Sequence, residues 1–216
     1  MLNNTPVSIL GGHPGTGKTR LVKAAIGHNL GEATDPNAPI EHVLGGKPMP
    51  GYFGQVLVID SAGAYRGFTQ FAGEQESARV LEVLPGDALG TTAEGIVEAA
   101  RQNAPVVVLD LSALNATRPM AGMAALLHRS ILAFITSKTA PNLVVADDAC
   151  QVLLPNLSGY DLHEALLGIG GRYIAERRHR LCYVSSTPEL LEGLSDWEIV
   201  EPLSITHTLE PLCAAV

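Results

Sequence analysis

Five continuous apolar, β-branched runs punctuate the chain: Val7–Leu10, Val56–Ile59, Val106–Leu109, Leu143–Ala146 and Leu181–Val184. None alternates apolar with polar residues, so each reads as a strand buried on both faces. Three of them run directly into an acid: Asp60, Asp110 and Asp147. Helical periodicity fills the intervals, over Lys18–His28, Ala93–Gln102, Met120–Ile135 and Leu162–Glu176. Strands alternating with helices predict an α/β fold, a central mostly parallel sheet with helices on both faces. Ala78–Val83 is expected as an edge strand and Ile199–Thr206 as a closing strand. The stretch 31–54 is rich in Gly, Pro and Asn and too long for a plain connector, which marks it as functional or mobile. A single domain over residues 1–216 accounts for the pattern.

Composition narrows the class. Hydrophobic residues make up 46% of the chain, yet no run is long and charge-free enough to span a bilayer. The segment before Val7 has neither a basic start nor an apolar stretch, so a cytosolic setting is expected, without membrane insertion. Cys150, Cys182 and Cys213 share no metal-ligand spacing, and Cys150 and Cys182, in apolar surroundings, are expected as buried free thiols. The histidines show no zinc pattern. A formal net charge of −8 argues against coating nucleic acid non-specifically. Positive charge gathers locally at Arg172, Arg177, Arg178 and Arg180, with His179, for which a solvated helix face is the simplest account.

The chemistry enters at Gly12-His13-Pro14-Gly15-Thr16-Gly17-Lys18-Thr19, which fits G-x-x-x-x-G-K-[ST] between a strand and a helix that continues from Arg20. Glycines let backbone N–H groups turn toward a phosphate at the positive end of the helix. Lys18 then reaches the β- and γ-phosphates of a nucleoside triphosphate, ATP, and the Thr19 hydroxyl binds Mg²⁺. Such a site also needs a carboxylate for the metal and an acid for the attacking water. Asp147 and Asp148 supply both at the end of one strand. Asp60 and Asp110 have no acid beside them, and capping of the following turn explains each.

Beyond the glycine loop, four segments resemble the HerA/FtsK group of P-loop ATPases. Val56–Tyr65 looks like its second-strand signature, with Ala64 in place of a Glu. Val106–Leu114 is similar to its "DLS" strand, and Leu143–Ala149 to its Walker B strand. Gly171-Arg172-Tyr173 followed by Leu181–Pro188 resembles "GRK…lvlvsQrP". The resemblance implies a RecA-like (ASCE) P-loop fold, with Arg172 offered to a neighbouring subunit's nucleotide and Ser186 in the γ-phosphate-sensing position. A cation reaching the γ-phosphate in trans contributes roughly 10³–10⁵ in rate. Three departures stand out: Asp148 where the group has Glu, Ser186 where it has Gln, and Tyr173 where it has Lys.

What the resemblance implies is a Mg-ATP-driven ring, a homohexamer, that translocates double-stranded DNA. Because only six residues precede Val7, the expectation is a stand-alone motor, similar to viral genome-packaging ATPases. That role would bring a capsid vertex as partner and a place in the host cytoplasm or on the virion. The alternatives are a conjugation or type IV secretion ATPase with a channel protein as partner, a nucleotide-dependent assembly switch with weak hydrolysis, and a small-molecule kinase. Arg66 and Arg118 are the candidate DNA-phosphate contacts of a motor.

Overall fold

The structure, a computed structural model, describes residues 6–46, 49–66, 78–84, 86, 87, 89–102, 104–114, 120–137, 141–148, 178–187 and 200–205. Seven strands form one sheet: β1 Val7–Gly11, β2 Gln55–Asp60, β3 Ala78–Glu82, β4 Val106–Asp110, β5 Asn142–Asp147, β6 Arg180–Ser185 and β7 Val200–Ser204. Their order is β3-β4-β2-β5-β6-β1-β7, and every pairing is parallel. All five expected central strands are present, and the two shorter runs form the edges as β3 and β7.

Helices lie on both faces. Among the described residues the α-helices are α1 Lys18–Asn29, the single turn α2 Glu41–Leu44, α3 Leu89–Arg101 and α4 Met120–Thr136. Strand side chains alternate between faces, so each strand feeds two cores. Ile9, Leu57, Ile59, Leu109 and Tyr183 pack with Ile96 of α3 and Leu127 and Phe134 of α4. Leu10, Val56, Val58, Val108 and Val184 pack with Leu21 and Ile26 of α1 and Val43 of α2. Burial on both sides is the physical reason these runs are apolar without interruption. The expected helix Leu162–Glu176 lies outside the described residues. No helix among the described residues is long and apolar enough to cross a membrane.

The stretch 31–54, expected as functional or mobile, buries Ala38, Ile40, Val43, Leu44 and Phe53. The Asn29 side chain exchanges two hydrogen bonds with the Phe53 backbone, both at 3.0 Å. One expectation needs correction: His179 and Arg180 do not sit on a solvated helix face, since both are buried where β6 begins. The Arg180 guanidinium donates to the carbonyls of Val43 (3.0 Å) and His42 (2.9 Å), capping α2. His179 Nδ1 accepts from the Asn142 N–H at 3.0 Å.

Strand register brings the acids together. Asp60 of β2 stands opposite Asp110 of β4 on one side and Asp147 of β5 on the other, while Glu82 of β3 stands opposite Asp110. Four neighbouring strands thus end in acids along one edge, the C-terminal edge where open parallel sheets bind ligands.

Candidate functional site at the glycine loop

Gly12–Gly17 leaves the end of β1 and turns into α1. Gly12 has φ 153°, and a Cβ there would lie 2.4 Å from the Ile205 carbonyl oxygen beyond β7, so only glycine fits. Gly17 occupies the cap of α1 at φ 92°, and no side chain caps the helix. The first-turn N–H groups of a helix have no partner within it. Here they open at the loop instead of being covered by a Ser or Asp.

Lys18 folds back over the loop. Its ammonium donates to the carbonyls of Gly12 (2.5 Å) and His13 (2.9 Å), and it is buried. Thr16 Oγ1 donates to the His13 carbonyl at 2.9 Å and closes the turn. A cleft of about 520 Å³ opens here, lined by Pro14, Gly15, Gly17, Lys18, Thr19 and Arg20 from the loop and α1. Asp147, Asp148, Val184 and Ser186 complete it from the ends of β5 and β6, with Ala62 and Ala64 after β2. Residues separated by more than a hundred positions thus meet in one cleft, because β1, β6 and β5 are adjacent strands.

Asp147 is almost fully buried and accepts three hydrogen bonds. Tyr65 Oη donates to Oδ2 at 2.7 Å, the Asp148 N–H donates to Oδ1 at 2.9 Å, and the Thr19 side chain donates as well. Burial raises the carboxyl above its ordinary value; these hydrogen bonds pull it down without cancelling that effect, and the Asp60 charge adds to the rise. Asp148 is exposed and has φ 58°, a left-handed conformation that Asp tolerates better than most residues. Ser186 Oγ donates toward Asp148 Oδ1 at 3.5 Å, a long contact.

The other two strand-end acids are engaged locally. Asp60 accepts from the N–H groups of Ala62 (3.0 Å) and Tyr65 (2.8 Å), closing the turn after β2. Asp110 accepts from the Ser112 N–H (2.9 Å) and hydroxyl (2.6 Å) and from Arg66 Nε (2.5 Å). Burial alone would raise the Asp110 carboxyl, but Ser112 and Arg66 together hold it below its usual value. Arg66 also faces Glu82 at 3.4 Å. Its guanidinium is therefore paired with two acids at the sheet edge while its side chain stays about half exposed.

Of the residues singled out in the sequence, Lys18, Thr19, Arg20, Asp147, Asp148 and Ser186 line one cleft. Gly12 and His13 are not among the lining residues; their carbonyls accept from the Lys18 ammonium. Arg172, Arg177 and Arg118 lie outside the described residues, as do Cys150 and Cys213. Cys182 is a buried free thiol. Tyr65 is the residue whose part the sequence did not reveal. A buried tyrosine hydroxyl needs a partner, but the partner lies 82 residues away.

The donor set suits a hard cation shared with an anion. Among the described residues, no three His, Cys, Asp or Glu side chains gather to hold a metal by themselves. One carboxylate, one hydroxyl and a ligand's phosphates are how Mg²⁺ is commonly held. Thr19 and Asp147 could provide the protein's share of such a site, and the glycine loop with Lys18 could take the phosphates. No family model matches the chain, and no curated protein matches it either.

Proposed function

We propose that the chain is a Mg-ATP hydrolase with a RecA-like P-loop fold, working as a ring motor of the HerA/FtsK kind on double-stranded DNA. The observation that carries the reading is the meeting of Lys18, Thr19, Asp147 and Asp148 around one cleft. Strand order supports it: β6 lies between the loop-bearing β1 and the acid-bearing β5, the additional-strand arrangement of ASCE enzymes.

In this reading Lys18 exchanges its carbonyl partners for the β- and γ-phosphates. Thr19 and Asp147 hold Mg²⁺, which when bound neutralises charge on the phosphates. Asp148, exposed to the cleft, orients the attacking water and accepts its proton. Ser186 stands beside Asp148, where a hydrogen bond from its hydroxyl steers the carboxylate. Arg172 from a neighbouring subunit completes the charge balance, which makes hydrolysis depend on ring assembly. The specific role proposed is packaging of a viral genome through a capsid vertex, with a conjugation or secretion motor as the related alternative.

A second reading has its own observation. Asp148 is shorter than the Glu of the resembled group, sits at φ 58°, and meets Ser186 only at 3.5 Å. A displacement of about 1 Å can cost on the order of a hundredfold in rate. That favours a nucleotide-dependent assembly switch with slow turnover. Steady-state ATP hydrolysis by the purified oligomer, with and without double-stranded DNA, separates the two. The motor requires turnover that DNA stimulates, while tight ATP binding with negligible turnover in the assembled ring establishes the switch. Absence of ATP binding rejects both.

A further inference from the structure

Tyr65 has no part in the site as the proposed function describes it, yet its backbone and its side chain are both held. Its backbone N–H is held by Asp60 Oδ2 at 2.8 Å. The ammonium of Lys23, on α1, lies 5.1 Å from the ring centroid and donates to the Ala64 carbonyl at 2.7 Å. Its hydroxyl, with the residue 0% exposed, donates to Asp147 Oδ2 at 2.7 Å. The other oxygen of that carboxylate takes the Asp148 N–H, and Thr19 donates to the same group. A carboxylate gripped at both oxygens has one orientation, and here it faces the hydroxyl at the head of α1.

We infer that Tyr65 is a positioning residue: its hydroxyl aims the Asp147 carboxylate at the point where Thr19 and a nucleotide's phosphates share a divalent cation. This rests on the Mg-nucleotide reading of the cleft and adds a residue to it. Lys23 and Asp60 act one step further back, holding the tyrosine from α1 and from the end of β2. Polar groups that orient a metal ligand typically change metal affinity by roughly 10- to 100-fold when removed. The loss should fall on the cation, not on the nucleotide, because the Tyr65 hydroxyl meets the site at the Asp147 carboxylate.

The test uses Mn²⁺ and the non-hydrolysable analogue AMP-PNP with the full chain. AMP-PNP affinity is measured in EDTA, then Mn²⁺ affinity of the AMP-PNP complex by electron paramagnetic resonance. Tyr65→Phe keeps the ring and loses the hydroxyl. Its metal-free AMP-PNP affinity should match the parent's, while its Mn²⁺ affinity falls roughly 10- to 100-fold. Adding Tyr65→Phe to Asp147→Asn should cost nothing more, since the two act through one carboxylate. Lys23→Met, which leaves the hydroxyl in place, should give a smaller loss of Mn²⁺ affinity, and it serves if Tyr65→Phe does not fold. Parental Mn²⁺ binding in both folded variants overturns the inference, as does equal weakening with and without metal. If the parent binds AMP-PNP and Lys18→Ala does not, that overturning touches Tyr65 alone. If the parent binds no AMP-PNP, the Mg-nucleotide reading fails and the inference with it.

Discussion

Asp110 and Asp147 end strands of nearly the same composition, flanking the same neighbour β2, yet their carboxylates meet opposite surroundings. At Asp110 a guanidinium arrives from Arg66, Ser112 adds a hydroxyl and an N–H, and the carboxyl is held below its usual value. At Asp147 the partners are hydroxyls and an N–H, burial prevails, and the carboxyl is pushed up. The residues responsible, Tyr65 and Arg66, are neighbours in the chain that diverge to the two acids. One acid is neutralised by the protein's own cation. The other is oriented by hydrogen bonds beside a cleft, with burial working against its charge.

The comparison breaks most sharply in catalysis. On the proposed function, Asp147→Asn should lower ATP turnover by about 10²- to 10³-fold, the usual cost of deleting a charge-stabilising element. Asp110→Asn should leave turnover within a few-fold of the parent, as expected for a carboxylate bound to its own cation. Steady-state rates for the two variants under the same conditions decide it. Equal losses would mean that Asp110 shares the metal's work.

A stability comparison in acid must first account for His128. Burial in α4 pushes its imidazole down to about 4, opposed by the hydrogen bond from Nδ1–H to the Ala124 carbonyl. Its Nε2 lies 3.2 Å from the Tyr183 hydroxyl of β6. The unfolded chain takes up this proton near the ordinary value of 6.5, the folded chain only near 4. Stability therefore falls as pH drops between those values, by roughly 3 kcal/mol from this residue. Urea unfolding across that range should show the loss in the parent and its absence in His128→Gln.

With that background removed, the two carboxylates should give smaller effects of opposite sign. Asp110, held low, releases its proton more readily folded than unfolded. It therefore contributes stability above the ordinary carboxylate range that is lost as pH falls through its depressed value. Asp147, pushed up, keeps its proton longer when folded, so stability from this group declines as pH rises from its unfolded to its folded value. Difference curves for Asp110→Asn and Asp147→Asn, both in the His128→Gln background without metal, should slope in opposite directions. Parallel slopes would erase the contrast between the two sites.

How much of this was legible beforehand varies residue by residue. The helices α1 and α4 stand within a residue of their expected ends, because an apolar stripe at helical spacing is a local signal. α3 begins four residues earlier than expected, at Leu89, where Gly90, Thr91 and Thr92 blur the periodicity. Arg180 shows the opposite case. Charge clustering in sequence suggests an exposed face, whereas strand pairing carries this arginine inward to the carbonyls of α2.

The chain by itself determined the strands, the glycine loop and the adjacent pair Asp147-Asp148, since each is written in contiguous residues whose burial preference or backbone freedom is intrinsic. Tertiary structure decided which strands became neighbours, and hence that β1, β6 and β5 bring their ends to one cleft. It also decided which acid received Arg66 and which received Tyr65. Those assignments depend on parallel register across dozens of intervening residues, and a carboxylate's protonation follows from its surroundings once the sheet has formed.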